Sequence, residues 1–303
     1  MDKRIVFLDG DYVPWDQATV HIMSHSFGRG SAVFEVLSFH ETPRGPAIFR
    51  LDEHIARLMR SVSAFGMSVS MSAPELDAAV RETVRRNGLT EGYVKIICYF
   101  PQVSMQIVPP RADLSVSIFS LGMDPEMTGM KSQAEGGVAM CISRWRKLDP
   151  QTVPVEAKAA GNYLNGMAAR IDAEKRGYQY AVMLDTQGFV AEGGTESIFL
   201  VSGGKLLTPV PGTILNSISR KSILEIAGMM GIVTSEWRLR PDDLLEADEI
   251  FLSSTGVRVL PVNRIEDRSY RDVPGAVTRD LNQAMARALT GRDERLASWN
   301  FPV

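Results

Sequence analysis

The apolar period of this chain changes twice within its first 122 residues, which excludes any architecture built from one repeating element. From Ile5 to His40 short apolar runs are broken by turns, with a hairpin-type turn at Gly10 in IVFLDGDYVP and a strand in SAVFEVLSF. In LDEHIARLMRSVSAFGM the spacing becomes three and four, through Leu51, Ile55, Leu58, Met59, Val62 and Phe65, which is one apolar face of a helix. Ser72 and Glu75 have capping-box spacing for a second helix, which carries Leu76, Val80 and Val84 and stops at Asn87-Gly88. YVKIICYF and ADLSVSIFSLG then return to strands. Residues 1–122 are expected to form a small α+β domain.

A single core stops growing at roughly 250 to 300 residues, so a chain of 303 residues is expected to divide. GMDPEMTGMKSQAEGG mixes Gly, Pro and charge without periodicity, so residues 123–137 read as an interdomain linker and 138–303 as a larger domain. That domain opens with the strand GVAMCISRW and has a helix through about Arg176. Hairpins follow around Asp185-Gly188 and Gly203-Gly204, then a helix from Ser219 to Gly231 and a strand EIFLSS. The helix VTRDLNQAMARAL closes it. With 33 Lys plus Arg against 36 Asp plus Glu there is no basic surplus for nucleic acid. Cys98 and Cys141 are far apart, with no CxxC or His-rich companion, so neither a disulfide framework nor a metal site is expected. No signal-peptide pattern and no apolar run of membrane-spanning length is present, and the expectation is a cytoplasmic protein acting on small molecules.

Lys158, one of eight lysines, sits in VEAKAAGNYLNG among Ala and Gly, a context that favours partial burial. Burial lowers a lysine's pKa and makes it a usable Schiff-base nucleophile; the plain alternative is a surface lysine at a helix start. AEGGTESIFLV places Glu192 on a Gly-flanked turn between apolar strands. A carboxylate there suits the ring nitrogen of a pyridine cofactor, or is merely a turn residue. Asn216-Ser217-Ile218-Ser219-Arg220 begins a helix whose free N–H groups and Ser219 hydroxyl form an anion seat, as any capped helix does. Ser254-Thr255-Gly256 at a strand end is a second such seat. Arg57, in HIARL, is a phosphate clamp or a solvated charge.

Taken in order, the spellings H-x-x-R-L, E-A-K-x-x-x-N-Y, E-G-x-x-E-x-I-F, I-S-R and S-T-G resemble the class IV (fold type IV) pyridoxal-phosphate aminotransferases, the family of branched-chain and D-amino-acid transaminases. The resemblance runs from HIMSHSFGRGSAVFE to the closing helix. It implies an α+β, two-domain, D-amino-acid aminotransferase-like fold with pyridoxal 5'-phosphate at the domain junction. Lys158 would hold the cofactor covalently and shuttle the proton between Cα and C4′. Glu192 would pair with the pyridine nitrogen, Tyr163 would hydrogen-bond the phenolic oxygen, and Arg57, Ile218, Ser219 and Thr255 would hold the phosphate.

HIMSHSFGRGSAVFE, GPAIFR, VPVEAKAAGNYLNG and GYQYAVMLD are most similar to the branched-chain subgroup, which implies amino transfer from Leu, Ile or Val to 2-oxoglutarate. Tyr93 and Thr255-Gly256 match positions that bind the α-carboxylate there. Phe34 matches a side-chain-pocket aromatic, in a loop expected to reach the partner subunit's site in a homodimer or larger homo-oligomer. Two positions depart from that pattern. Arg29 stands where a Tyr is usual, and Lys95 where an Arg is usual. These cations could bind a second carboxylate, or hold the α-carboxylate on the opposite side and admit D-amino acids or (R)-amines. Alternatively Arg29 pairs with Glu35 or another acid and only shapes the pocket. The rivals are a lyase of the same fold resembling aminodeoxychorismate lyase, a relative that binds without turnover, and an unrelated phosphate-binding module.

Overall fold

The computed structural model describes residues 3–123 and 136–303, so most of the expected linker lies outside the described residues. These residues form two compact units. One holds residues 3–123 with Ala157–Gly161 and Ala288–Val303, and the other holds residues 136–156 and Asn162–Arg287. The first unit thus includes two segments, Lys158 among them, that lie within the 138–303 span of the sequence boundaries.

In the first unit β1 (Ile5–Leu8) and β2 (Asp11–Pro14) form the expected hairpin. Its two turn residues, Asp9 and Gly10, have φ of 49° and 104°. That is the left-handed pair which matches the twist of adjoining strands. After the short helix α1 (His25–Arg29) come β3 (Val33–Thr42), β4 (Gly45–Phe49), helix α2 (Leu51–Ala64), β5 (Ser68–Val69), helix α3 (Ala73–Asn87), β6 (Gly92–Tyr99) and β7 (Asp113–Leu121). The capping box forms as expected, with the Ser72 N–H donating to Glu75 at 2.7 Å. Leu51, Ile55, Leu58 and Val62 of α2 are buried against Leu37, Val94 and Ile96 of the sheet. Each such aliphatic side chain contributes roughly 1.5–3 kcal/mol by leaving water.

The sequence pattern ends the fold on the helix VTRDLNQAMARAL, but the chain continues. Residues Asn300–Pro302 return as a strand beside β4, and the Arg50 N–H donates to the Trp299 carbonyl at 2.6 Å. The sheet order is Asn300–Pro302, β4, β3, β6, β7, β1, β2, with β5 on β7. Period-two alternation puts Val33, Leu37, Val94 and Ile96 in the core and leaves Phe34, Val36, Tyr93 and Lys95 on the opposite face. There Val36 stands opposite Lys95 and Phe34 opposite Ile97.

The second unit runs β8 (Val138–Ile142), α4 (Tyr163–Lys175), β9 (Tyr180–Leu184), β10 (Val190–Gly193), β11 (Ser197–Ser202), β12 (Lys205–Pro209), α5 (Ile218–Met229), β13 (Thr234–Trp237), α6 (Pro241–Glu246), β14 (Glu249–Ser253), β15 (Leu260–Ile265), β16 (Arg268–Ser269) and α7 (Ala276–Leu289), whose last two residues are counted with the first unit. Its sheet order is β10, β9, β8, β15, β14, β11, β12, β13, with β16 on β15. The core gathers Met140, Val182, Ile198, Leu200, Leu252 and Val262. No helix among the described residues is long and apolar enough to cross a membrane.

Candidate active site

In the first unit residues 158–161 run antiparallel to the segment that leads into β3. Phe34 N–H donates to the Lys158 carbonyl at 3.0 Å, Ala160 N–H to Ala32 at 2.8 Å and Gly161 N–H to Gly30 at 3.1 Å. The Lys158 N–H in turn donates to Ser61 Oγ of α2 at 3.0 Å. Lys158 is therefore fixed by its backbone, with a half-buried side chain between buried Ala157 and Ala159. Its Nζ lies 4.9 Å from the centre of the Phe34 ring, and the Nζ of Lys95 lies 5.0 Å from the same centre. Burial pushes the Lys95 ammonium below its ordinary pKa. Two cations against one aromatic ring make a place suited to an anion with an apolar part.

Beside this group lies a buried triad. Glu35 has the core parity of Val33 and Leu37, where an unpartnered charge would be costly. Arg57 donates to it twice, Nε to Oε1 and Nη2 to Oε2, each at 2.7 Å. His54 Nδ1 lies 2.7 Å from Oε2 and is the donor, since an ionised carboxylate only accepts. Burial works to raise the Glu35 carboxyl, but the Arg57 charge and the hydrogen bonds from Arg57 and His54 outweigh it and hold it at about 2. Burial pushes His54 down, helped by the charges of Arg57 and Lys158 and opposed by Glu35, so its ring is neutral.

Both groups make the fold acid-sensitive. Glu35 titrates in the fold below its ordinary 4.5, so its contribution is complete above about 4.5 and is lost as pH falls towards about 2. The depressed His54 likewise favours the fold above its ordinary 6.5 and disfavours it as pH falls below that. Urea midpoints measured across pH are expected to decline below about 6.5 and more steeply below about 4.5. Glu35→Gln should remove the steeper stage, and an unchanged profile in that variant would refute the assignment.

Arg29 does not pair with Glu35. It is exposed at the end of α1, and its Nη2 donates to the Met105 carbonyl at 2.7 Å. Glu35 is already occupied by Arg57 and His54. Of the two unusual cations, the structure groups only Lys95 with Lys158 and Phe34. Tyr93 is buried on β6, opposite Ser38.

In the second unit Glu192 is not on the expected turn. It is buried within β10, where the pairing with β9 shifts register between Val190 and Gly193, an irregularity of the kind that re-aims a side chain. Its Oε1 meets Lys147 Nζ in a buried ion pair. The Gly-rich stretch after it has a packing reason, since a Cβ at Gly166 of α4 would overlap the Gly194 carbonyl. That contact sets the first turn of α4, with half-buried Tyr163 at its start, against the loop that follows β10. Ile218 and Ser219 open α5 behind the cap Ser217, whose Oγ accepts from the Arg220 N–H at 3.3 Å. The buried Arg220 pins this end of the helix by donating from Nη2 to the Pro209 carbonyl at 2.9 Å and to Glu236. Thr255 and Gly256 follow β14 in the turn where Ser254 Oγ accepts from the Val257 N–H at 3.4 Å.

Sequence reasoning missed His54, Lys147 and the true partner of Arg57. A signal existed for two of these: an acid at a core-parity strand position needs buried donors, and His54 and Arg57 are three apart on the next helix. Among the described residues no group of three or more His, Cys, Asp or Glu could hold a metal ion.

The family described as Amino-transferase class IV matches residues 32–265. The chain is 34% identical to the branched-chain-amino-acid aminotransferase of Salmonella typhimurium, over 98% of this chain and 97% of that protein. Among solved structures, the branched-chain aminotransferase of Thermoproteus uzoniensis with norvaline superposes with a TM-score of 0.93 at 33% identity, covering 99% of both chains. The branched-chain aminotransferase of Thermobaculum terrenum in its PLP form gives 0.91 at 27% identity, covering 99% of this chain and 98% of that one.

Proposed function

This chain belongs to the class IV aminotransferases, and on that premise we propose that it uses pyridoxal 5'-phosphate to move an amino group from a branched-chain L-amino acid, Leu, Ile or Val, to 2-oxoglutarate. The observation that carries the reading is Lys158, whose backbone is tied at both its N–H and its carbonyl while its amine lies against Phe34. The relatives of known name support the substrate class.

The donor set fits a phosphorylated pyridine. Lys158 supplies the amine for covalent attachment and Glu192 a buried carboxylate for the ring nitrogen. Tyr163 supplies a hydroxyl for the phenolic oxygen. Arg57, the α5 N-terminus at Ile218 and Ser219, and Thr255 supply donors for the phosphate. When bound, pyridoxal phosphate provides an electron sink conjugated to the substrate's Cα. Lys158 Nζ takes the Cα proton and returns it, and Glu192 keeps a proton on the ring nitrogen. Tyr93 and the Thr255-Gly256 turn receive the α-carboxylate, and Phe34 packs against the apolar side chain.

A second reading, a D-amino-acid or (R)-amine transaminase, draws on Lys95, whose ammonium, like that of Lys158, lies against the Phe34 ring. Titrating the holoenzyme in turn with L-leucine, D-alanine and a simple (R)-amine, and following loss of the cofactor's visible band, separates the two. L-leucine is expected to react fastest. A faster D-alanine or amine would establish the second reading, and a protein with no such band would refute both.

We further propose a cytoplasmic homodimer. Cys98 and Cys141 are buried free thiols, as suits a reducing compartment. Ile22, Phe27, Met105 and Ile107, each at least 68% exposed, give the first unit an apolar surface for a second copy.

A further inference from the structure

The Lys147–Glu192 pair is buried on both sides, the lysine side chain 10% and the glutamate side chain 8% exposed. A lysine is usually a mobile surface charge, but this one is strapped in place over three consecutive residues. The Arg146 carbonyl accepts from Asn165 Nδ2 at 2.9 Å, the Lys147 N–H donates to the Leu184 carbonyl at 2.8 Å, and the Leu148 N–H donates to Asn165 Oδ1 at 3.2 Å. Asn165 belongs to the first turn of α4, and Leu184 ends β9, the strand beside Glu192's own. The ammonium is thereby aimed at one carboxylate oxygen by a scaffold that holds its backbone from two elements.

We propose that Lys147 is a positioning residue for the cofactor-binding carboxylate: it holds Glu192 in one orientation for the ring nitrogen. The inference rests on the function proposed above. A carboxylate has about four lone-pair sites, so accepting from Lys147 leaves capacity for a second cationic donor. A buried carboxylate deprived of its cation takes up a proton instead. It then competes as a donor with the ring N–H it should accept from. Asn165 acts one step further out, through the backbone of 146–148.

The test uses holoenzyme and two readouts other than turnover: the dissociation constant of pyridoxal phosphate by equilibrium dialysis, and the pH midpoint of its visible band. K147M is expected to loosen the cofactor at least about tenfold and to shift the midpoint, as loss of a supporting partner does at other cofactor and metal sites. K147R, which keeps the charge, should stay within about threefold of the parent. In an E192Q background K147M should change neither quantity further, because Lys147 acts only through that carboxylate. If K147M does not fold, N165A, which leaves both charges in place, is expected to loosen the cofactor about threefold. Parental values in K147M, an equal effect in the E192Q background, or parental values in N165A would each overturn the proposal. A parent that takes up no pyridoxal phosphate would instead overturn the proposed function, and this inference with it.

Discussion

Lys158→Ala is expected to lower single-turnover amino transfer from L-leucine by more than about 10³-fold while leaving the fold intact. The fold survives because the bonds that fix this segment are made by the backbone: its N–H to Ser61 Oγ and its carbonyl to the Phe34 N–H. Alanine keeps both. What it lacks is the amine, which is at once the point of covalent attachment and the base for the Cα proton, so one substitution removes two roles. Borohydride treatment followed by intact-mass measurement separates them from misfolding. The parent should gain the mass of one reduced cofactor per chain, and the variant none, at an unchanged melting temperature. Near-normal turnover in Lys158→Ala would end the aminotransferase reading for this chain.

The parts of the molecule legible in its sequence are those with a repeating physical signal. Helix α2 was readable because Leu51, Ile55, Leu58 and Val62 share one face, and α3 because Ser72 and Glu75 satisfy its first free N–H groups. The hairpin at Asp9-Gly10 was readable because few residues tolerate two successive positive φ values. The strand Asn300–Pro302 was not. It is three residues long, contains a proline, and forms only because β4 offers an open edge. Residues 157–161 carry no strand pattern either, and their pairing with the approach to β3, with the bond to Ser61 Oγ, fixes Lys158. At the site, identity was more legible than partnership. Glu192 and Arg57 stood out as residue types, yet which cation holds Glu192, and which acid holds Arg57, depends on contacts between elements far apart in sequence. Lys147 in WRKLDP has the local look of a solvated charge. Its burial follows from Asn165 and Leu184, 18 and 37 positions away.

That dependence is sharpest at Glu35, and it sets the second large expectation. Glu35→Ala should destabilise the protein by about 3–5 kcal/mol, because it leaves the Arg57 side chain, only 6% exposed, without the carboxylate that accepts from two of its nitrogens. The cost lies in the stranded guanidinium rather than in the lost attraction, and a double replacement can show this. In E35M/R57M both charges leave together and apolar volume fills their place, so most of the stability should return. Cofactor affinity should not return, because Arg57 is proposed as a phosphate donor and methionine cannot replace it. Urea unfolding and equilibrium dialysis on the two variants therefore part company: E35M/R57M is the more stable, and neither binds as the parent does. If Glu35→Ala unfolds like the parent, Arg57 finds enough elsewhere and the triad is not what orders this end of α2. If E35M/R57M regains stability and parental affinity together, Arg57 serves the fold alone, and the phosphate rests on Ser219, Thr255 and the N-terminus of α5.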